Sequence, residues 1–271
     1  MFTTLALAVA LSSALGQSEQ LTISNARATY GRYGPARADD KLLPADTYWV
    51  AFDVDGFKVD KEDKNKEDKI LYTMSMQVTN EKGKVVYGID PLDQESQNIL
   101  GGSNVPSFSF FSAGTHPPGE YTLKVNIMDR NTKAKVTLTR KFEILSKGFG
   151  LVDLHPSYDS DGRSHAPASG VTGQWIWITF NAVGFERDNK TKQPDVALEM
   201  RVLDENGKQT VPKPFRGRIN SGVDRTAELL PMSYRFGLNR PGKFSVELHA
   251  TDKVAKKEVK LSFPITVTEQ K

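Results

Sequence analysis

The side chains in this sequence best suited to chemistry are aromatic and basic. Trp175 and Trp177 stand two apart in Gln174-Trp175-Ile176-Trp177-Ile178-Thr179-Phe180. Residues two apart on a strand share a face, so a core-facing Ile176, Ile178 and Phe180 would put both indoles on the outer face of a sheet. A flat aromatic surface there stacks sugar rings or receives a partner's apolar side chain, and Trp175 is the residue expected to do so. The second feature is Lys208–Arg225, where Lys208, Lys213, Arg216, Arg218 and Arg225 stand against one acid, Asp224. Such a stretch suits an anionic polymer or an acidic neighbour, with affinity that falls as salt rises. Its bland counterpart is a solvated connecting loop.

Other chemistries find little support. Cysteine is absent, which removes disulfides, thiolate metal sites and a cysteine nucleophile. The histidines, His116, His155, His165 and His249, are dispersed and unpaired, without metal-ligand spacing. The charged run Asp53–Lys69 has acids for a hard cation but lacks EF-hand spacing and sets five lysines against its seven acids. It reads as a solvated loop, and Asp159-Ser160-Asp161-Gly162 as an Asx-rich turn. No serine-hydrolase elbow, phosphate loop or dinucleotide fingerprint occurs. No carboxyl stands out as an acid of raised pKa in an apolar setting. The expectation is a non-enzyme without metal or cofactor.

The elements that must position these residues come from an internal repeat. Pro118–Ile144 returns as Pro241–Val267, each a pair of alternating strands around a polar turn. Upstream, Tyr30 matches Tyr158, Trp49 matches Trp177, and Gly56-Phe57 matches Gly184-Phe185. Met76 matches Met200, and Glu81-Lys82-Gly83-Lys84 matches Glu205-Asn206-Gly207-Lys208. A period of about 125 residues is a duplicated domain rather than a solenoid unit, with domains at 20–146 and 147–271. The short joint Ser146–Gly150 predicts domains that abut at a preferred angle, with Gly148 and Gly150 leaving room for a hinge. Short strands, frequent turns and no helical periodicity predict an all-β chain of two tandem Ig-like Greek-key β-sandwiches.

The duplication also sorts candidates, because a feature in both copies serves the fold by default. Trp49 and Trp177 are shared and are expected to pack near the opening segment, against Tyr30 and Tyr158. Trp175 corresponds to Thr47 and escapes that argument. The basic Lys208–Arg225 corresponds to Lys84–Asn104, which carries Asp90, Asp93 and Glu95, so equivalent segments have opposite charge.

The residues Pro118-Gly119-Glu120-Tyr121, the Thr122-Leu123-Lys124-Val125 alternation and the closing Lys141-Phe142-Glu143-Ile144 resemble immunoglobulin-like and fibronectin-III-like domains of bacterial exported proteins. In many such domains a tyrosine at this corner caps a loop with its hydroxyl. The resemblance implies that role for Tyr121 and denies it to Phe244. The whole pattern also looks like extracytoplasmic two-domain proteins of planctomycete type, a likeness that brings no activity with it.

The N-terminus, with an apolar run Leu5–Leu11 and small residues at Ala14 and Gly16, reads as a secretory signal peptide over 1–16. An apolar first strand or a membrane-anchored segment is the alternative. No segment after signal cleavage approaches the ~20 apolar residues of a membrane span. The formal charge of +3 is too mild for nucleic acid. The sequence therefore predicts a periplasmic or secreted protein that binds or spaces a protein or cell-surface polysaccharide. Its rivals are a carbohydrate-binding module using Trp175 and a periplasmic chaperone that pairs a client strand.

Overall fold

The computed structural model describes residues 20–61 and 68–270. The expected signal segment and part of Asp53–Lys69 lie outside the described residues. In the first half the strands are β1 (Thr22–Thr29), β2 (Lys41–Leu42), β3 (Thr47–Asp55), β4 (Val59–Asp60), β5 (Lys69–Asn80), β6 (Val85–Gln97), β7 (Val105–Ser112), β8 (Gly119–Asp129) and β9 (Lys135–Ile144). In the second they are β10 (Gly150–Ser157), β11 (Ser169–Val171), β12 (Trp175–Val183), β13 (Val196–Asp204), β14 (Phe215–Ile219), β15 (Leu229–Gly237), β16 (Gly242–Asp252) and β17 (Lys257–Thr268).

Each half folds as a sandwich. A three-stranded sheet, β1-β3-β7 or β10-β12-β15, faces a larger sheet ordered β2-β9-β8-β5-β6 or β11-β17-β16-β13-β14. The short β4 adds to β5 in the first half. β2 pairs β9, and β11 pairs β17, in parallel; the other strand pairings are antiparallel. Chain order alternating between two sheets in this way is the Ig-like Greek key. Apart from β4 the topology repeats strand for strand, so the all-β tandem sandwich expected from the sequence is the fold.

Period-two alternation builds both cores. Tyr121, Leu123, Val125 and Ile127 of β8 are buried, as are Val246, Leu248 and Ala250 of β16, while the residues between them face out. The two halves bury separate apolar clusters, with Tyr30 from the first half packed onto the second cluster. Special backbone positions repeat as well. Asn25 and Asp153 sit at matching bulges with φ of 53° and 52°. Gly83 and Gly207 supply the positive φ of the hairpin turns, which Asn80 and Asp204 close by accepting backbone N–H groups.

A corner tyrosine and a strand proline each take a defined place. The Tyr121 hydroxyl donates to the Pro117 carbonyl at 2.7 Å, the corner cap that Phe244 lacks. Pro264 lies within β17, where proline's missing N–H requires an unpaired outer side or a bulge. The β16–β17 register runs unbroken through it, and β11 reaches only Thr266–Thr268, so Pro264 lies on a free edge without a bulge.

One buried polar device was not anticipated. Asp129 ends β8 and Asp252 ends β16, both with no exposed surface. One oxygen of Asp129 accepts the N–H groups of Asn131 and Thr132 in its own hairpin turn, and the other accepts Lys58 N–H at 2.8 Å. Asp252 repeats this with Val254, Ala255 and Glu186, the last at 2.7 Å. Each carboxylate thus ties the closing hairpin to the loop that follows the second core strand, β3 or β12. Replacing Asp252 by alanine leaves three donors to find new partners and is expected to lower unfolding free energy by about 3 kcal/mol, with Asp252→Asn intermediate. Urea unfolding of the two variants checks this.

Candidate binding site

Trp175 opens β12 at one end of the second sandwich. Ile176, Ile178 and Phe180 are buried and Trp175 is 56% exposed, as the alternation requires. Its ring is not a bare platform. It lies across Gly237, its neighbour on β15, where an added Cβ would sit 3.4 Å from the ring. The Arg235 guanidinium stacks over it at 4.4 Å. Trp177 is half-buried, with Arg235 at 5.8 Å. Its counterpart Trp49 stacks on Phe110 at 4.7 Å and meets Phe108 and His165 at a tilt. Neither indole takes the expected place against Tyr30 and Tyr158: Tyr30 instead meets Phe263 and Arg37, and Tyr158 is exposed.

Beside Trp175 an apolar cleft of about 310 Å³ enters the end of the sandwich between Phe236, Phe244, Val246 and Ile265. The first copy shows why it is open. Strand register makes Ile176, Phe236, Phe244 and Ile265 the equivalents of Tyr48, Phe111, Tyr121 and Phe142. Those four rings fill the first sandwich, with Tyr48 on Phe142 at 4.6 Å and Phe142 against Tyr121 and Phe111 at 5.6 Å. Tyr87 of β6 adds a lid over Phe111 at 5.8 Å. In the second copy two of the rings are isoleucines and the lid is gone. There β14 pairs only from Phe215, because Val211-Pro212-Lys213-Pro214 precedes it and proline has no N–H for the ladder.

The basic segment divides. Read as a loop, it proves to contain strand β14. Arg216 Nε meets Glu199 at 3.0 Å, and Arg218 holds Asp195 through two 2.7 Å bonds. Hydrogen bonds from Arg218 hold the Asp195 carboxyl below its ordinary range. In the first copy Asp93 and Glu95 of β6 meet Arg130 and Lys69. The inverted charge is thus answered inside each sheet. Arg225 is exposed in the β14–β15 connection, with no ion-pair partner among the described residues. Trp175 and the three arginines do not converge on one site. The cationic groups that do adjoin Trp175, Arg235 and Arg240, escaped notice because they are isolated in sequence.

The carboxylates considered for a cation have other employment. Asp53 and Asp55 accept from Asn25, Ser24 and Asn104, and Asp159 closes its own turn through the N–H groups of Asp161, Arg163 and Ser164. Among the described residues no group of three His, Asp or Glu could hold a metal ion, and no helix is long and apolar enough to cross a membrane.

His155 and His165, unrelated in sequence, stack in parallel at 4.0 Å where the halves meet. Each nitrogen of His155 lies 2.9 Å from a carbonyl oxygen, of Asp153 and of Gly162. Nδ1 of His165 accepts the Arg32 N–H at 3.1 Å. Nearby, Asp46 accepts the Asp153 N–H at 2.9 Å. Gly31 (φ 77°) packs so closely on His155 that a Cβ would collide. His249, on the outward face of β16, pairs with Glu258 at 3.2 Å.

No protein-family model matches the chain, and no curated protein matches it in sequence. Solved structures similar to it include the red sea bream transglutaminase, at 8% identity and a TM-score of 0.27 over 93% of this chain and 31% of that one. Dimeric latent PorU from Porphyromonas gingivalis is similar at 9% identity and a TM-score of 0.38, over 96% of this chain and 21% of that one. The fibronectin(III)-like modules of Clostridium thermocellum CbhA are similar at 12% identity and a TM-score of 0.22, over 92% and 95%. This chain spans less than a third of the first two proteins' lengths.

The His165 environment makes a pH prediction. Burial first, then the charges of His155 and Arg32, push its pKa down to about 4, with Asp159 opposing. An unfolded histidine titrates near 6.5, so between those values the unfolded chain binds more protons and the fold loses stability as pH falls. The urea midpoint is expected to hold above about pH 6.5 and to decline toward pH 4. His165→Gln should flatten that decline; an unchanged slope would show that other groups cause it.

Proposed function

We propose that this chain is a non-catalytic exported protein, periplasmic or secreted, whose two Ig-like sandwiches carry a binding end for a protein or cell-surface partner. The observation that carries this reading is the contrast between copies: the end of the first sandwich is packed with rings, and the same end of the second opens as an apolar cleft beside Trp175. What the second copy adds there is apolar surface and guanidinium groups, which are means of binding rather than of acid–base or nucleophilic chemistry. The first sandwich supports the second as a fixed base through Asp46, Arg32 and Tyr30. Export is supported by the apolar run Leu5–Leu11 followed by Ala14 and Gly16, and by the resemblance to exported Ig-like proteins.

A glycan-binding reading is favoured by the exposure of Trp175 and weakened by the Arg235 guanidinium already stacked on its ring. Retention of the wild type on cellulose, chitin or peptidoglycan, lost in Trp175→Ala, would establish it; equal behaviour of the two proteins removes it. For export, expression in a diderm bacterium should yield periplasmic or secreted protein beginning at Gln17. Cytosolic protein that retains Met1 would overturn this part.

A further inference from the structure

The cleft end of the second sandwich is chemically one-sided. Its lining includes Arg235 and Arg240 and no aspartate or glutamate. Among the described residues neither guanidinium has a carboxylate partner: Arg235 rests on the Trp175 ring and Arg240 on the Phe244 ring at 5.1 Å. Arginines over aromatic faces keep their planar donor edge free, the geometry that takes a carboxylate through two parallel hydrogen bonds. The rest of the lining is largely apolar, with Phe236, Val246, Ile265 and Val267 among it and Thr210 and Asn239 as its uncharged polar members. A volume of about 310 Å³ is at the small end of ligand sites and holds one short tail.

We propose that this cleft binds a small amphipathic carboxylate, its acyl or arylalkyl tail in the space that rings occupy in the first copy and its head on Arg235 and Arg240. The assignment rests on the binding-protein reading and names its ligand class. A second copy of the chain is a poorer occupant. The equivalent end of the first sandwich docks on the next domain through Asp46 and through Leu43, which packs on Gly150. In the second sandwich those positions are Gln174 and Val171. The donor-accepting carboxylate of that contact is therefore missing.

Decanoate, kept below its micellar concentration, is titrated into the full mature chain and followed by calorimetry and tryptophan emission, since Trp175 borders the cleft. Saturable one-to-one uptake is expected, weakened roughly tenfold or more by the pair Arg235→Gln and Arg240→Gln, and likewise weak for decanol. Ile265→Phe returns the first copy's own ring to the cleft; it should abolish uptake while moving the thermal midpoint by no more than ~5 °C. Non-saturating partition, equal affinity for decanol, or undiminished uptake by folded Ile265→Phe would overturn the proposal. So would a wild type that dimerises in sedimentation through an interface lost in Ile265→Phe. Export and polysaccharide retention are separate readouts: failure of decanoate uptake leaves the binding-protein reading standing, and a cytosolic chain that binds decanoate overturns export alone.

Discussion

The carboxylates of Asp129 and Asp252 are the constraint on which the rest of each sandwich depends. A β-sandwich leaves backbone donors unpaired at its loop ends, and a buried N–H without a partner costs about as much as a lost hydrogen bond. Each aspartate meets three such donors from two separate loops. This closes one end of the fold and pins its last hairpin in register. The opposite end, roughly 30 Å away along eleven-residue strands, is released from that duty.

The two copies use that freedom differently. In the first sandwich the far end faces its neighbour, and Tyr48, Phe111, Tyr121 and Phe142 fill it as a stack of rings. Ring stacking adds to the area those residues bury, and a solid end suits a surface against which the second domain rests. In the second sandwich the same end carries the cleft. Two of the four rings become isoleucine, and two prolines detach the start of β14, so cover and filling are lost together. Close packing elsewhere in the core is retained, with Val246 and Ile265 still almost fully buried at the cleft floor.

Much of the scaffold was legible and less of the site. Alternation around Tyr121–Ile127 and its return in β16 placed the core strands, and Gly83 and Gly207 placed the turns, because period and positive φ are local properties. The outward turn of Trp175 followed from the buried Ile176 and Ile178 by the same rule. The neighbours of Trp175 did not follow. Arg235 lies on a strand sixty residues on and reaches the indole only through the β12–β15 register. His155 and His165 were dismissed as unpaired because the loop that brings them face to face leaves no periodic trace. The pairing within Lys208–Arg225 was hidden for the same cause: the acids that engage Arg216 and Arg218 stand outside that segment, at Glu199 on β13 and Asp195 just before it.

The sequence alone determined that the chain is all-β, duplicated and turned at particular glycines, since hydrophobic period, internal repetition and steric permission are written residue by residue. Tertiary structure decided which equivalent positions are filled and which are open, and which charges are spent within a sheet. Packing volume and ion pairing depend on residues that meet only after strands from distant parts of the chain align. The cleft beside Trp175 is a difference between two sums of side-chain volume, and that difference takes its meaning from the superposed registers of the two copies.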